Sequence, residues 1–224
     1  SEAVPDDLPR KALPRRSVLP SLRLKPARSL PAPPAAAPDP LVETIVGLVS
    51  STNLTAGVQS LQDFQTRYAS TVNCEAAGDA LFAAFTALGL DSVRFEPFTF
   101  ASYASRNVIA EKTGQAYPDH IFVICGHYDS ISPAAWRQTL APGADDNASG
   151  TAAVLEAARV LAAFPLDFTV RFIAFSAEEW GLFGSRAHAA AAHAAGERIL
   201  GVINLDMIAY ADALPEDLQI IVNP

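Results

Sequence analysis

The run Phe168-Thr169-Val170-Arg171-Phe172-Ile173-Ala174 gives way abruptly to Phe175-Ser176-Ala177-Glu178-Glu179-Trp180-Gly181. The first stretch is β-branched and aromatic and reads as a buried strand. Helix signals begin just beyond the second, so two adjacent glutamates stand where a strand hands over to a helix. In an open α/β sheet that strand end borders the crevice where ligands bind. Neighbouring carboxylates in a partly desolvated place repel each other and call for a counter-charge. A divalent metal supplies it most simply. A solvated Glu-Glu pair opening a helix is the plainer alternative.

The same hand-over recurs along the chain. Strands are expected at Val93–Phe100, Asn107–Glu111, Ile121–Cys125, 168–175, Ile199–Leu205 and Leu218–Val222. Helical spacing appears in Leu41-Val42, Ile45-Val46 and Leu48-Val49, then in a segment capped by Ser51 or Asn53 that runs through Leu61 and Phe64. Further helices are expected from about Cys74 to Leu88 (stopped by Gly89), from about Ser149, its cap, to Ala163, and over an alanine-rich stretch, roughly Leu182–Ala195. Alternation of this kind predicts a mostly parallel sheet covered on both faces, with the first two strands paired as a hairpin.

Polar residues cluster where these strands end or helices begin. Gly126-His127-Tyr128-Asp129-Ser130 follows the strand at 121–125, and Asp145-Asp146-Asn147 sits in the next loop. The glutamate pair follows 168–175, and Asp206 closes Gly201-Val202-Ile203-Asn204-Leu205. Parallel strand ends share one edge, so these groups converge although they are far apart in sequence. One imidazole among several carboxylates suits zinc or a related divalent ion. His127 and Asp129 leave an extended segment on the same side, so Asp129 can take the second imidazole proton. His188 and His193, about 140° apart on a helix, cannot share a metal, and both are expected at the surface. His120 carries no signal.

Composition narrows the classes further. A chain of 224 residues with 50% hydrophobic content can bury a full core as one domain. No apolar run approaches the roughly 18–20 residues of a membrane span, so none is expected. Residues 1–40 hold seven Lys/Arg against four Asp/Glu, which leaves −11 on the rest of a chain of net charge −8. So acidic a body argues against a nucleic-acid partner. Ten of the seventeen prolines also lie in residues 1–40, without periodicity, and this stretch reads as a disordered or polyproline-like leader, a propeptide remnant or a tether. Cys74 and Cys125 are too few for a disulfide framework, and Cys125 reads as a buried free thiol.

GHYDS at 126–130, APGADDNASG at 141–150, FSAEEWGLFGS at 175–185 and NLDM at 204–207 closely resemble the di-zinc aminopeptidases of the aminopeptidase Y and bacterial leucyl aminopeptidase type. The resemblance covers about 41–224. It implies a three-layer α/β/α sandwich of the phosphorylase/hydrolase-like kind and release of an N-terminal residue, often hydrophobic, from a peptide substrate. It also implies secretion or another extracytoplasmic location. His127 and Asp206 resemble ligands of one zinc, Asp146 the carboxylate bridging two zinc ions, and Glu179 a ligand of the other. Glu178 resembles the general base and Asp129 the partner orienting His127, and the resemblance further implies a cis Asp146–Asn147 peptide.

There are two departures. Such enzymes usually carry an aromatic residue where this chain has His188, a change expected to be without consequence. Their last zinc ligand is a histidine well downstream of NLDM, and nothing after Asp206 supplies one. The expectation is therefore a catalytic domain incomplete at its C-terminus, holding one zinc tightly rather than two and of low activity. Two other readings compete with it: a peptidase-like binding domain without metals, and a carboxypeptidase or glutaminyl cyclase on the same scaffold. The cyclase is disfavoured, because its first ligand is usually an aspartate.

Overall fold

The computed structural model describes residues 39–210. The expected leader, apart from its last two residues, and the expected strand Leu218–Val222 lie outside them. Within them the order is α1 (Pro40–Gly47), α2 (Ser51–Gln62), α3 (Val72–Ala87), β1 (Ser92–Phe100), β2 (Tyr103–Lys112) and β3 (Tyr117–His127). A tight turn at Ala144–Ser149 leads into α4 (Gly150–Ala162), followed by β4 (Phe168–Phe175), α5 (Phe183–Ala195) and β5 (Arg198–Asn204).

The sheet runs β1-β2-β4-β3-β5. β1 and β2 form the expected antiparallel hairpin, β2 also meets β4 antiparallel, and β4, β3 and β5 are mutually parallel. Period-two alternation divides the side chains between two faces. Val108, Phe172 and Ala174 turn to a core shared with Leu61, Leu81, Phe85 and Val154 from α2, α3 and α4. Ile109, Ile173, Val123 and Cys125 turn to the opposite face, where Phe175 and Ile199 join them. Helices thus flank a mixed five-stranded sheet, as the alternating pattern predicts. Both cysteines are buried and free. Among the described residues no single helix is long and apolar enough to cross a membrane.

In α2 and α3 the helix ends follow their sequence signals with one shift. Gly89, at φ 68°, stops α3 where a residue with a Cβ would be strained. The cap of α2 is Ser50, whose hydroxyl accepts from the Asn53 amide at 3.2 Å, rather than Ser51 or Asn53. Ser50 wins because its own amide is held from outside the helix, by Glu156 Oε1 at 2.7 Å. Glu156 is 4% exposed and also takes bonds from Asn53 Nδ2 (3.2 Å) and Arg159 Nε (2.7 Å), pinning the start of α2 to α4.

This pin makes stability depend on pH. Arg159 above all, with Ser50 and Asn53 and against the opposing effect of burial, holds the Glu156 carboxyl at about 2 instead of its ordinary 4.5. Its stabilising share is complete above the unfolded value and is lost as pH falls from about 4.5 towards 2. Glu156→Gln should lower the urea midpoint at pH 7 and flatten its fall over that acid range. A variant that kept the wild-type acid slope would show that this carboxylate is not the anchor.

Candidate metal centre

Because β3, β4 and β5 run in parallel, their C-terminal ends open on one edge. His127, the last residue of β3, is in register with Phe175, the last of β4, and Asp206 lies two residues beyond β5. His127 Nε2 stands 3.2 Å from Asp146 Oδ1, 3.6 Å from Asp206 Oδ1 and 3.9 Å from Glu178 Oε2. One donor atom each from His127, Asp146 and Asp206 falls within 4.8 Å of the others, a spacing that one small cation can bridge. The sequence expectation of convergence holds for these residues. Asp145 turns elsewhere: its Oδ1 accepts from the Ala209 amide at 2.9 Å.

Each arm of the site is fixed from behind. His127 Nδ1 lies 3.1 Å from the Asp129 backbone carbonyl and 3.5 Å from its carboxylate, so the main chain is its nearer partner. The fully buried Asp129 carboxylate instead accepts from the amides of Glu178 (3.1 Å) and Glu179 (3.3 Å). It therefore links the histidine loop to the glutamate turn. Thr151 Oγ1 donates to the His127 carbonyl at 2.7 Å, tying that loop to α4 as well.

The turn carrying Asp146 is tightly shaped. Gly143 has φ 49°, and a Cβ there would lie 2.3 Å from the Asp146 carbonyl and 2.6 Å from Ser130 Cβ. The Asp146–Asn147 peptide is cis, as the resemblance implies. Asn147 does what was expected of Ser149: its Oδ1 accepts from the Gly150 amide at 2.8 Å and opens α4. Ser149 is already helical, and its hydroxyl donates to the Asp145 carbonyl at 2.7 Å. The other end of the Asn147 amide donates to the Leu205 carbonyl at 2.9 Å, which brings the strand end leading to Asp206 against the turn.

Sequence reasoning missed the residue that closes the glutamate turn. Asn107, fully buried on β2, accepts from the Ser176 amide at 3.1 Å and donates to the Gly184 carbonyl at 2.9 Å, so it grips both ends of the segment holding Glu178 and Glu179. Its other amide hydrogen goes to Glu96 at 2.8 Å. Glu96 in turn meets His188 Nδ1 at 3.0 Å, and His188 Nε2 faces Arg171 Nη1 at 3.3 Å. His188 is 6% exposed, which corrects the expectation of two surface histidines. The 140° between His188 and His193 turns one inward and leaves the other exposed. Also missed was Arg67, buried between the histidine and aspartate loops and bonded to carbonyls in both.

The electrostatics are those of crowded anions. Burial alone would lower His127, but Asp129, Asp146 and Asp206 together push it up to about 12. Burial, then Asp146 and Asp129, pushes Glu179 up to about 8. Burial likewise raises Glu178, with Asp129, Asp206 and Asp146 adding to it and His127 opposing. Glu179 Oε1 is buried with no hydrogen-bond partner among the described residues. An orphaned carboxylate oxygen beside a nitrogen-and-carboxylate donor set fits a divalent cation of the zinc type.

Comparison with known proteins agrees with this reading of the donor set. The model for peptidase family M28 matches residues 107–216. A probable zinc metalloprotease of Pyrenophora teres f. teres is 33% identical over 190 residues, covering 76% of this chain and 39% of that protein. The aminopeptidase YwaD of Bacillus subtilis is 46% identical over 88 residues, covering 38% of this chain and 18% of its own length. The chain thus spans less than half the length of these curated relatives. The crystal structure of LapB from Legionella pneumophila shares the fold with a TM-score of 0.67 at 23% identity, over 79% of this chain and 48% of that one. The matched span begins at Asn107, which grips the glutamate turn, and takes in His127, Asp146, the glutamate pair and Asp206; the chain carries a domain of peptidase family M28.

Proposed function

We propose that this domain is a zinc-dependent aminopeptidase that removes the N-terminal residue, commonly a hydrophobic one, from peptides. The match to a zinc peptidase family supports hydrolysis of peptide bonds. The observation that carries the finer reading is the placement of the two glutamates. Glu178 Oε2 is aimed at the His127–Asp146–Asp206 cluster, 3.9 Å from the imidazole, while Glu179 keeps a buried oxygen without a partner. That division supports one base and one ligand.

His127, Asp146 and Asp206 would hold zinc with a position to spare, as catalytic sites require. Bound there, zinc supplies polarisation of the scissile carbonyl and a water of lowered pKa. Glu178 takes the proton of the attacking water and delivers it to the leaving amine. Burial raises its carboxyl above the ordinary carboxylate range, the direction that makes it a better proton acceptor. Asp129 keeps Glu178 in place through the backbone amide rather than the side chain, so the carboxylate stays free to work. A second metal would draw on Asp146 and Glu179; among the described residues no further imidazole joins the donor cluster. Two carboxylates make a weak, hydrated site better suited to a hard cation. The family resemblance also supports an extracytoplasmic place of action, and the acidic body supports a peptide rather than a nucleic acid as partner.

Three outcomes test this. Metal analysis of the 224-residue chain should find close to one tightly held zinc, with slow turnover of a leucine anilide, because both halves of a two-metal clamp are needed for full rate. Two tight zinc ions with fast turnover would show that another residue completes the second site. Glu178→Gln should keep the wild-type zinc content while lowering the remaining turnover by about 10²–10⁴-fold, whereas Glu179→Gln should weaken metal at the second position. Equal metal loss in both would mean that the two roles are misassigned. Zinc uptake at pH 7 should also release at least one proton per ion, since His127 starts protonated near 12 and must be neutral to ligate. Calorimetry in buffers of different ionisation enthalpy reads this number directly, and a value of zero would show that His127 is already neutral before the metal binds.

A further inference from the structure

We infer that Arg67 is a positioning residue of the metal centre: its buried guanidinium fixes the histidine loop against the aspartate turn, and so sets the distance between His127 and Asp146. The inference rests on the zinc reading of that cluster.

Arg67 lies between α2 and α3 and is 0% exposed. A fully buried guanidinium ordinarily meets a carboxylate, because an unpaired interior charge is costly. Here every hydrogen bond from its side chain goes instead to a backbone carbonyl. Nε donates to Tyr128 at 2.7 Å, Nη1 to Leu61 at 2.8 Å and to Pro142 at 2.6 Å, and Nη2 to Gly143 at 2.9 Å. Tyr128 stands between His127 and Asp129, whereas Pro142 and Gly143 lead into Asp145 and Asp146. One rigid planar fork therefore spans both loops, with its fourth acceptor at the end of α2. A lysine could supply the charge but not this geometry.

The backbone of Arg67 adds a second tie at the same place. Its amide donates to Ser130 Oγ and its carbonyl accepts from the Ser130 amide, both at 3.1 Å. Ser130 Oγ in turn donates to the Ala141 carbonyl at 2.6 Å. Loops 128–130 and 141–143 thus meet across Arg67, and the His127 Nε2 to Asp146 Oδ1 separation of 3.2 Å is measured across that junction. Burial lowers the guanidinium to about 10, with Cys74, Asp129 and Asp146 pulling the other way, so it is a cation at neutral pH. Its charge therefore sits behind the acidic cluster and partly offsets the repulsion within it.

The test uses the full chain with Arg67→Lys and Arg67→Met, and reads two quantities. In metal-free protein, amide hydrogen exchange should quicken at 127–130 and 141–147 in both variants while β2 and β4 keep their protection. With zinc, competition against a chromophoric chelator should show affinity reduced about 10–100-fold, the usual cost of losing a group that orients a ligand. The visible bands of the cobalt-substituted protein should shift as well, reporting altered ligand geometry. Should Arg67→Met fail to fold, Arg67→Lys carries all three measurements. Wild-type exchange in both loops, or wild-type zinc affinity with an unchanged cobalt spectrum, would overturn the inference. If the unmutated chain binds no zinc, the metal reading fails, and the exchange experiment still decides whether Arg67 ties the loops.

Discussion

Five carboxylates, those of Asp129, Asp146, Glu178, Glu179 and Asp206, crowd one imidazole at the edge of the sheet, and the local architecture is arranged to hold them there against their mutual repulsion. Left to itself, such a cluster would swing its side chains into water. The chain prevents this by anchoring backbone instead of carboxylate. Asp129 grips the amides of Glu178 and Glu179, Asn107 grips both ends of their turn, and Asn147 joins the Asp146 turn to the end of β5. The oxygens that would meet a cation are thereby left uncommitted. Glu179 Oε1, buried and without a partner, is the clearest instance. Stability has been placed in the main chain so that reactivity can reside in the side chains.

The parallel strands explain why this is possible at all. β3 and β4 end level with one another and β5 ends two residues short of them, so loops from three separate parts of the chain begin at the same edge. A helix follows two of those loops, and the first turn of each is held by a buried amide side chain rather than a surface cap. Asn147 binds the Gly150 amide at the start of α4, and Asn107 binds the Gly184 carbonyl at the start of α5. These asparagines couple the helices to the sheet at the points where ligands would stand.

How much of this can be read from sequence depends on the range of the interaction. Strands, helices and the shared edge are legible because period and strand-end chemistry are local, and they bring His127, Asp146, Glu178 and Asp206 together. The capping residue of α4 was misplaced because Asn147 and Ser149 are both capping types two positions apart, and only the shape of the turn decides between them. His188 was misread because an alanine-rich helix offers no apolar stripe to reveal its buried side. Arg67 and Asn107 left no local trace: their partners lie 61 or more residues away, except for the Leu61 carbonyl and Glu96. A polar residue whose value comes from distant backbone looks, in sequence, like any other polar residue.

His188 also bears on how this domain can change over generations. Its ring bridges Glu96 and Arg171, and Arg171 further serves Glu111 and Glu197. Replacing the imidazole alone with an aromatic hydrocarbon takes a donor from Glu96 and leaves the facing edge of Arg171 without its neighbour, both in a poorly hydrated place. The viable routes therefore pass through neighbouring positions together, or through an intermediate of reduced stability. What is inherited at this position is a linked set of side chains, and a lineage that enters this arrangement has few single steps by which to leave it.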